Sequence, residues 1–151
     1  MSGVLSGLLS AALAVSLVAS AQEATYPIFT ADQLDATMKT LGPNLSGVQS
    51  AVREQDYTAA KALAIRSREQ LAVTVTFWRD QERVDAVRLL RVVLDELDGL
   101  DGLLSAPEVS AATVEPALTR IQDGCEACHQ VYREQDPATG AYRLRQSALR
   151  P

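Results

Sequence analysis

Apolar residues recur along most of the chain at alternating steps of four and three, in four segments separated by short polar breaks. Steps that average 3.5 residues are typical of helices whose apolar stripes pack against one another. The pattern predicts an all-α fold, an antiparallel four-helix bundle. The four stripes contain the following positions in chain order: Leu34, Met38, Leu41, Leu45, Val48 and Val52; Ala60, Ala64, Ser67, Leu71, Thr74 and Trp78; Ala86, Leu90, Val93, Leu97, Leu100 and Leu104; Val114, Leu118, Ile121, Cys125, Cys128 and Tyr132.

Polar residues mark where two of these helices begin. Thr30 and Gln33 form a capping-box pattern before the first stripe. Asp56 is expected to start a second helix that runs to about Asp80. No strand pattern of comparable length competes with the helices. Residues 136–140 have turn composition, and the basic tail after them is free to pack on the bundle or to fray.

Three prolines interrupt or delimit the helical pattern. Pro43 should remove one backbone hydrogen bond and kink the first helix. Pro107 should end the third helix. The fourth helix is expected to begin around residues 113–116, with Pro116 in its first turn, where proline is tolerated.

The first residues resemble a secretion signal. Residues 4–18 are apolar and uncharged, and Ala19-Ser20-Ala21 before Gln22 is a small-x-small cleavage site. We therefore predict a signal peptide of residues 1–21, a mature helical domain of residues 22–135 in the periplasm, and a C-terminal tail of residues 136–151. No Lys or Arg precedes the apolar run, so an uncut membrane anchor stays open as an alternative.

The composition narrows the class of protein. A length of 151 residues with 47% hydrophobic and 22% charged residues is typical of one globular domain. The net charge is −5, and the sequence contains no basic run. This balance argues against nucleic acid or an anionic membrane surface as a partner.

The chemistry of the chain is concentrated near its C-terminal end. Cys125, Cys128 and His129 include both cysteines and the one histidine. The spacing Cys-x-x-Cys-His is the attachment motif of a c-type haem, in which two thiols bond to the porphyrin and the imidazole binds iron. On a helix these three positions share one face. The motif therefore predicts one covalent haem c.

Three other interpretations compete with haem. A structural zinc site normally takes four protein ligands, so these three would need a second chain. A thioredoxin-like Cys-x-x-Cys is expected near a βαβ pattern, which is missing from this sequence. A disulfide between Cys125 and Cys128 would be strained on a helix.

Residues 125–133, with the sequence CEACHQVYR, resemble the haem-binding run of class II c-type cytochromes, which include cytochrome c′ and the cytochrome c-556 type. The resemblance implies one haem inside an antiparallel four-helix bundle, with His129 as the proximal iron ligand. Arg133 matches an arginine of the family, and we expect Tyr132 and Arg133 to bind the cofactor near the haem edge. Leu34 departs from the family, because many members carry an arginine at that position.

The same resemblance makes Met38 the candidate for the sixth iron ligand. Met38 lies roughly 12 Å from the start of its helix, and His129 roughly 9 Å from the expected end of its own, at 1.5 Å per residue. The two side chains are therefore expected at similar depths. His/Met ligation indicates a one-electron carrier, whereas an empty sixth position indicates a five-coordinate, cytochrome c′-like protein that binds NO or CO.

An enzyme is not expected, because no histidine or cysteine remains as a base or nucleophile once His129 binds iron. The expected partners are redox proteins, namely other cytochromes, an oxidase or a reductase. A homodimer stays open, and a membrane is expected as a partner only if residues 1–21 are retained. In that case the protein would serve as a subunit of a larger electron-transfer complex.

Overall fold

A computed structural model describes residue 28 and residues 30–150 of the chain. These residues are mainly helical, which confirms the predicted all-α class. Four long helices, one short helix, two short strands and a final 3₁₀ turn follow one another: α1 Ala31–Arg53, α2 Tyr57–Val73, α3 Val75–Asp80, α4 Val84–Leu104, α5 Ala111–Tyr132, β1 Arg133–Gln135, β2 Tyr142–Leu144 and Gln146–Ala148. The predicted signal peptide lies outside the described residues.

The long helices pack in chain order, α1 on α2, α2 on α4 and α4 on α5. Each pair runs antiparallel, because the order of its contacts reverses along the two helices. Between α4 and α5, for example, Asp85 contacts Tyr132, whereas Glu96 contacts Arg120 at 2.8 Å. No described helix is long and apolar enough to cross a membrane.

The predicted stripes form the core, but to different degrees. Every stripe position of the second and third segments is buried. In the first and fourth segments, by contrast, some stripe positions are only partly buried: Met38, Leu45, Leu118, Cys125 and Cys128. The difference arises because α2 and α4 each have a long helix on both sides, whereas α1 and α5 each pack closely on only one.

The capping predictions for the first two helices are confirmed. Thr30 and Gln33 form the capping box of α1, and Asp56 caps α2 by accepting a hydrogen bond from the backbone N–H of Ala59 at 2.9 Å. The helix α1 continues through Pro43.

Two predicted boundaries differ from the structure. The second predicted helix is divided at Thr74, which separates α2 from α3. Its hydroxyl donates to the carbonyl of Leu71 at 2.7 Å, and such back-bonding by a β-branched residue competes with regular helix geometry. The last helix begins earlier than predicted, because Ser110 caps it, and Pro116 therefore lies in its second turn.

The C-terminal end of α5 also differs from the prediction. The helix ends at Tyr132, and the extended backbone of Arg133 begins β1, which pairs antiparallel with β2. The predicted turn of residues 136–140 joins the two strands. Because each strand has only three residues, neither shows the alternation that would reveal a strand in the sequence.

The C-terminal tail packs on the bundle, which the sequence left undecided. Ala148 is buried, and its carbonyl accepts a hydrogen bond from the Arg83 guanidinium at 3.1 Å. The Arg150 side chain donates to the carbonyl of Asp80 at 2.9 Å. These bonds attach the tail to the α3–α4 end of the bundle.

Candidate functional site

The three motif residues lie together on the last two turns of α5. Cys125, Cys128 and His129 are all partly exposed, and both cysteines are free thiols. Among the described residues, no group of three His, Cys, Asp or Glu side chains is arranged to hold a metal ion. This observation gives no support to a zinc site within one chain.

Burial sets the protonation states of these groups. It raises the pKa of the Cys125 thiol, and it raises the pKa of Cys128 to about 11 with help from the neighbouring Cys125 and Asp85. Burial also lowers the pKa of His129, and the positive charge of Arg133 lowers it further. At neutral pH the imidazole is therefore uncharged, which is the form that binds a metal.

A stripe on α5 shows which way the motif faces. Leu118, Gln122, Cys125 and His129 follow one another at steps of four, three and four, so they lie along one side of the helix. Leu118 and Gln122 line a groove between α5 and α1. The same side of α5 therefore directs Cys125 and His129 toward α1.

A matching stripe runs along α1. Met38, Gly42, Leu45, Gln49 and Val52 follow the same alternating steps, and the last two line the groove from the other side. A β-carbon added at Gly42 would have no described neighbour within 4 Å. The face of α1 opposite the motif thus leaves open space.

The α1–α5 seam, defined by these two stripes, is the open side of the bundle. Its stripe residues are all partly or fully exposed, apart from Val52. Close backbone approaches between α1 and α5 are sparse, unlike those of the other neighbouring pairs. An open groove of about 270 Å³ lies at one end of the seam. The α1–α5 side is therefore the least closely packed side of the bundle.

The groove shows which parts of the two helices face each other. Its lining residues come from residues 49–53 of α1 and residues 115–122 of α5. Because the helices run antiparallel, the part of α1 that contains Met38 and the part of α5 that contains His129 lie on the same side of this groove. Both lie toward the end of the bundle where α5 ends.

Tyr132 lies one turn after Cys128 on α5, and its side chain packs against α3 and α4. Its ring is buried and contacts the indole of Trp78, with ring centroids 4.6 Å apart. Its hydroxyl donates a hydrogen bond to the carboxylate of Asp85. Nothing in the sequence indicated Asp85, because it lies 47 residues away in the chain.

Arg133 lies beyond the helix rather than on it. Its guanidinium carbon is 4.2 Å from the centre of the Tyr142 ring, a cation–π contact within the hairpin. Its charge still acts on His129, whose pKa it lowers. Arg133 thus lies in the hairpin that follows α5, close enough to His129 for its charge to act there.

The donor set and its setting could hold a haem c. Two protonated thiols and one neutral imidazole lie within two turns of α5, and Cys125 and His129 belong to its stripe toward the seam. Covalent attachment requires two thiols that are not paired with each other, and both cysteines are free.

Comparisons with known proteins give one partial match. No family model matches the chain, and no solved structure matches it significantly. The chain is 32% identical over 108 residues to a tRNA(Ile)-lysidine synthase of Ralstonia nicotianae. The match covers 70% of this chain but only 23% of that protein. This partial similarity does not show a family for the chain.

Proposed function

We propose that this protein is a monohaem c-type cytochrome of the four-helix type, a one-electron carrier and not an enzyme. The observation that carries the proposal is that Cys125 and His129 belong to the α5 stripe whose Leu118 and Gln122 line the groove against α1, with Cys128 one turn from Cys125. When bound, a haem c supplies one-electron redox chemistry at its iron.

Each motif residue has a distinct role in the proposal. Cys125 and Cys128 would carry the two thioether bonds and so fix the cofactor against α5. His129 would donate the lone pair of its neutral imidazole to iron. Gly124 allows α5 to lie close against Val93 of α4, which would keep the three groups in a fixed position as the charge on iron changes.

Met38 is the proposed sixth ligand, because it is a partly buried thioether on the α1 stripe opposite the motif. Its long, unbranched side chain can adapt to an irregular space. Methionine ligation raises the reduction potential, which suits an electron carrier. Tyr132 and Arg133 stay proposed cofactor neighbours, through packing and through charge respectively.

One observation favours a second function. Met38 is among the partly buried residues that pack against the core, and a Met38 side chain held there would leave the sixth iron position without a donor. The protein would then be five-coordinate and would bind NO or CO. The spin state of the ferric protein separates this candidate from the His/Met carrier.

The proposed setting follows from the N-terminal sequence and the charge. We propose export to the periplasm and partners that are redox proteins, with a membrane involved only if residues 1–21 are retained and with homodimer formation left open. The partly similar synthase has a name that concerns tRNA. The net charge of −5 of this chain gives no support to an RNA partner.

Covalent attachment is the experiment that tests the proposal. Protein produced in a periplasm with a cytochrome c maturation system should keep its haem through acidic acetone and denaturing electrophoresis. Cys125→Ala and Cys128→Ala should each lose one thioether and lower the yield of holo-protein. Ala127→Ser is the matched control, because it changes the motif interior but keeps all three reacting residues. Haem that leaves the wild-type chain with the solvent would refute the proposal.

A further inference from the structure

Three aromatic rings form a buried cluster at the end of the bundle where α5 ends. The Trp78 ring contacts both of the others, with its centroid 5.0 Å from that of Phe77 in an edge-to-face pair and 4.6 Å from that of Tyr132 in a tilted pair. All three residues are at most 5% exposed. Rings at these distances are in van der Waals contact.

The three rings differ in what happens to their protons. Phe77 has no acidic proton, and no described group accepts a hydrogen bond from the buried Trp78 Nε1. The hydroxyl of Tyr132, by contrast, donates to the carboxylate of Asp85, which lies at the protein surface. Oxidation of an aromatic side chain makes its O–H or N–H proton strongly acidic. The oxidised side chain is therefore stabilised most where a base can take that proton.

Tyr132 and Asp85 also have the protonation states that are needed for proton transfer when Tyr132 is oxidised. The hydrogen bond from Tyr132 lowers the pKa of Asp85, so the carboxylate is ionised at neutral pH. Burial, together with the hydrogen bond to Asp85, raises the pKa of Tyr132, so the phenol keeps its proton until it is oxidised. A charge-assisted bond of this kind is strong and well directed.

We propose that Tyr132 is a redox-active tyrosine, with Asp85 as its proton acceptor and Trp78 as the aromatic ring in contact with it. A one-electron oxidant takes one electron from Tyr132 and is reduced by one unit. The phenolic proton passes to Asp85, which leaves a neutral tyrosyl radical and a neutral carboxylic acid. A one-electron reductant such as ascorbate returns the electron, and the proton returns from Asp85 to the phenolate oxygen.

The position of Tyr132 relates its oxidation to the haem motif. It lies four residues after Cys128 and three after His129, one turn from the motif. Its proton acceptor, Asp85, is exposed. Tyr132 would therefore lead oxidising equivalents away from the motif toward solvent, and this purpose, unlike the radical chemistry itself, rests on the proposed haem.

Flash oxidation tests the inference. Holo-protein in the ferric state, in which the iron has no readily lost electron, is exposed to photogenerated tris(bipyridine)ruthenium(III) and freeze-quenched for electron paramagnetic resonance. We expect a tyrosyl signal that is lost in Tyr132→Phe. In Asp85→Asn the signal should form more slowly and depend on the concentration of buffer base, because the amide cannot take the proton.

Tyr142→Phe is the matched control, since Tyr142 is an exposed tyrosine with no carboxylate bond, and its signal should equal that of the wild type. Circular dichroism confirms that each variant is folded. A wild type without a tyrosyl signal, a signal that survives Tyr132→Phe, or an Asp85→Asn variant with wild-type kinetics would overturn the inference. Haem attachment is measured separately on the same samples, so the failure of one proposal can be distinguished from the failure of the other.

Discussion

At the scale of single residues, partial burial and hydrogen bonding decide which groups carry charge. The motif thiols are protonated and His129 is neutral because the seam only partly solvates them. The bond between Tyr132 and Asp85 acts in the opposite way on its two partners, since it requires a protonated phenol and an ionised carboxylate. The proposed iron ligand, His129, and the proposed redox-active residue, Tyr132, both depend on these protonation states.

The same bond predicts how stability depends on pH. Because the folded pKa of Asp85 is below its ordinary value of 3.8, its stabilising effect is present above pH 3.8 and is lost as pH falls through the folded pKa. Asp85→Asn should therefore lower the melting temperature most near neutral pH, and the difference from wild type should shrink in acid. Asp95→Asn, an exposed carboxylate on the same helix, controls for the loss of one negative charge. A difference that is constant with pH would contradict the assignment.

At the scale of elements, the close approach of α5 to α4 fixes the motif helix. A β-carbon at Gly124 would lie 2.7 Å from Cγ2 of Val93, and Val93 is a buried, β-branched residue with little freedom to move. The residue next to Cys125 thus allows α5 to pack tightly on α4, which leaves the open side of α5 toward α1.

Gly124→Ala should therefore destabilise the protein by about 1–3 kcal/mol, the usual cost of overpacking a core. Gly99→Ala is the matched control, because a β-carbon there has no described neighbour within 4 Å, and it should stabilise its helix by up to about 1 kcal/mol. Urea unfolding measures both changes. In a double-mutant cycle with Val93→Ala, a positive coupling is expected, and strict additivity would contradict the close contact.

At the scale of the whole molecule, three helix interfaces close the bundle and the fourth, the α1–α5 seam, stays open. The seam brings α1 and α5, the first and last long helices, to face each other across open space. No single helix defines this space, because its two walls come from residues about eighty positions apart in the chain, such as Leu45 and Cys125. The seam is where we propose that the haem binds.

The sixth iron ligand can be identified by spectroscopy of the wild type and of a Met38 variant. If Met38 binds iron, the ferric protein should be low-spin and the ferrous protein should bind CO slowly. Met38→Ala should then give a high-spin ferric spectrum and a lower potential, because the thioether favours ferrous iron, at a cost in stability of about 2–5 kcal/mol at most. Leu103→Ala, a partly buried apolar residue on α4 and outside the seam, should lose stability and keep the wild-type spectrum. A wild type that is already high-spin and binds CO rapidly would favour the second function.

Much of the helix pattern could be predicted from the sequence, because burial of one face leaves a periodic trace in the residues themselves. The stripe of α4 is buried at every predicted position, and Thr30 caps α1 as predicted. The break at Thr74 and the hairpin after Tyr132 could not be predicted, because back-bonding by one hydroxyl and the pairing of three-residue strands leave no periodic trace.

The sequence by itself determined the motif, its helical spacing and the order of the helices, since these depend on residues close together in the chain. Only the tertiary structure decided that α1 and α5 face each other across the seam and that the Tyr132 hydroxyl meets Asp85. Those relations join residues 47 or more positions apart. They depend on how far neighbouring helices slide and rotate as their side chains pack, and no local pattern in the sequence records that.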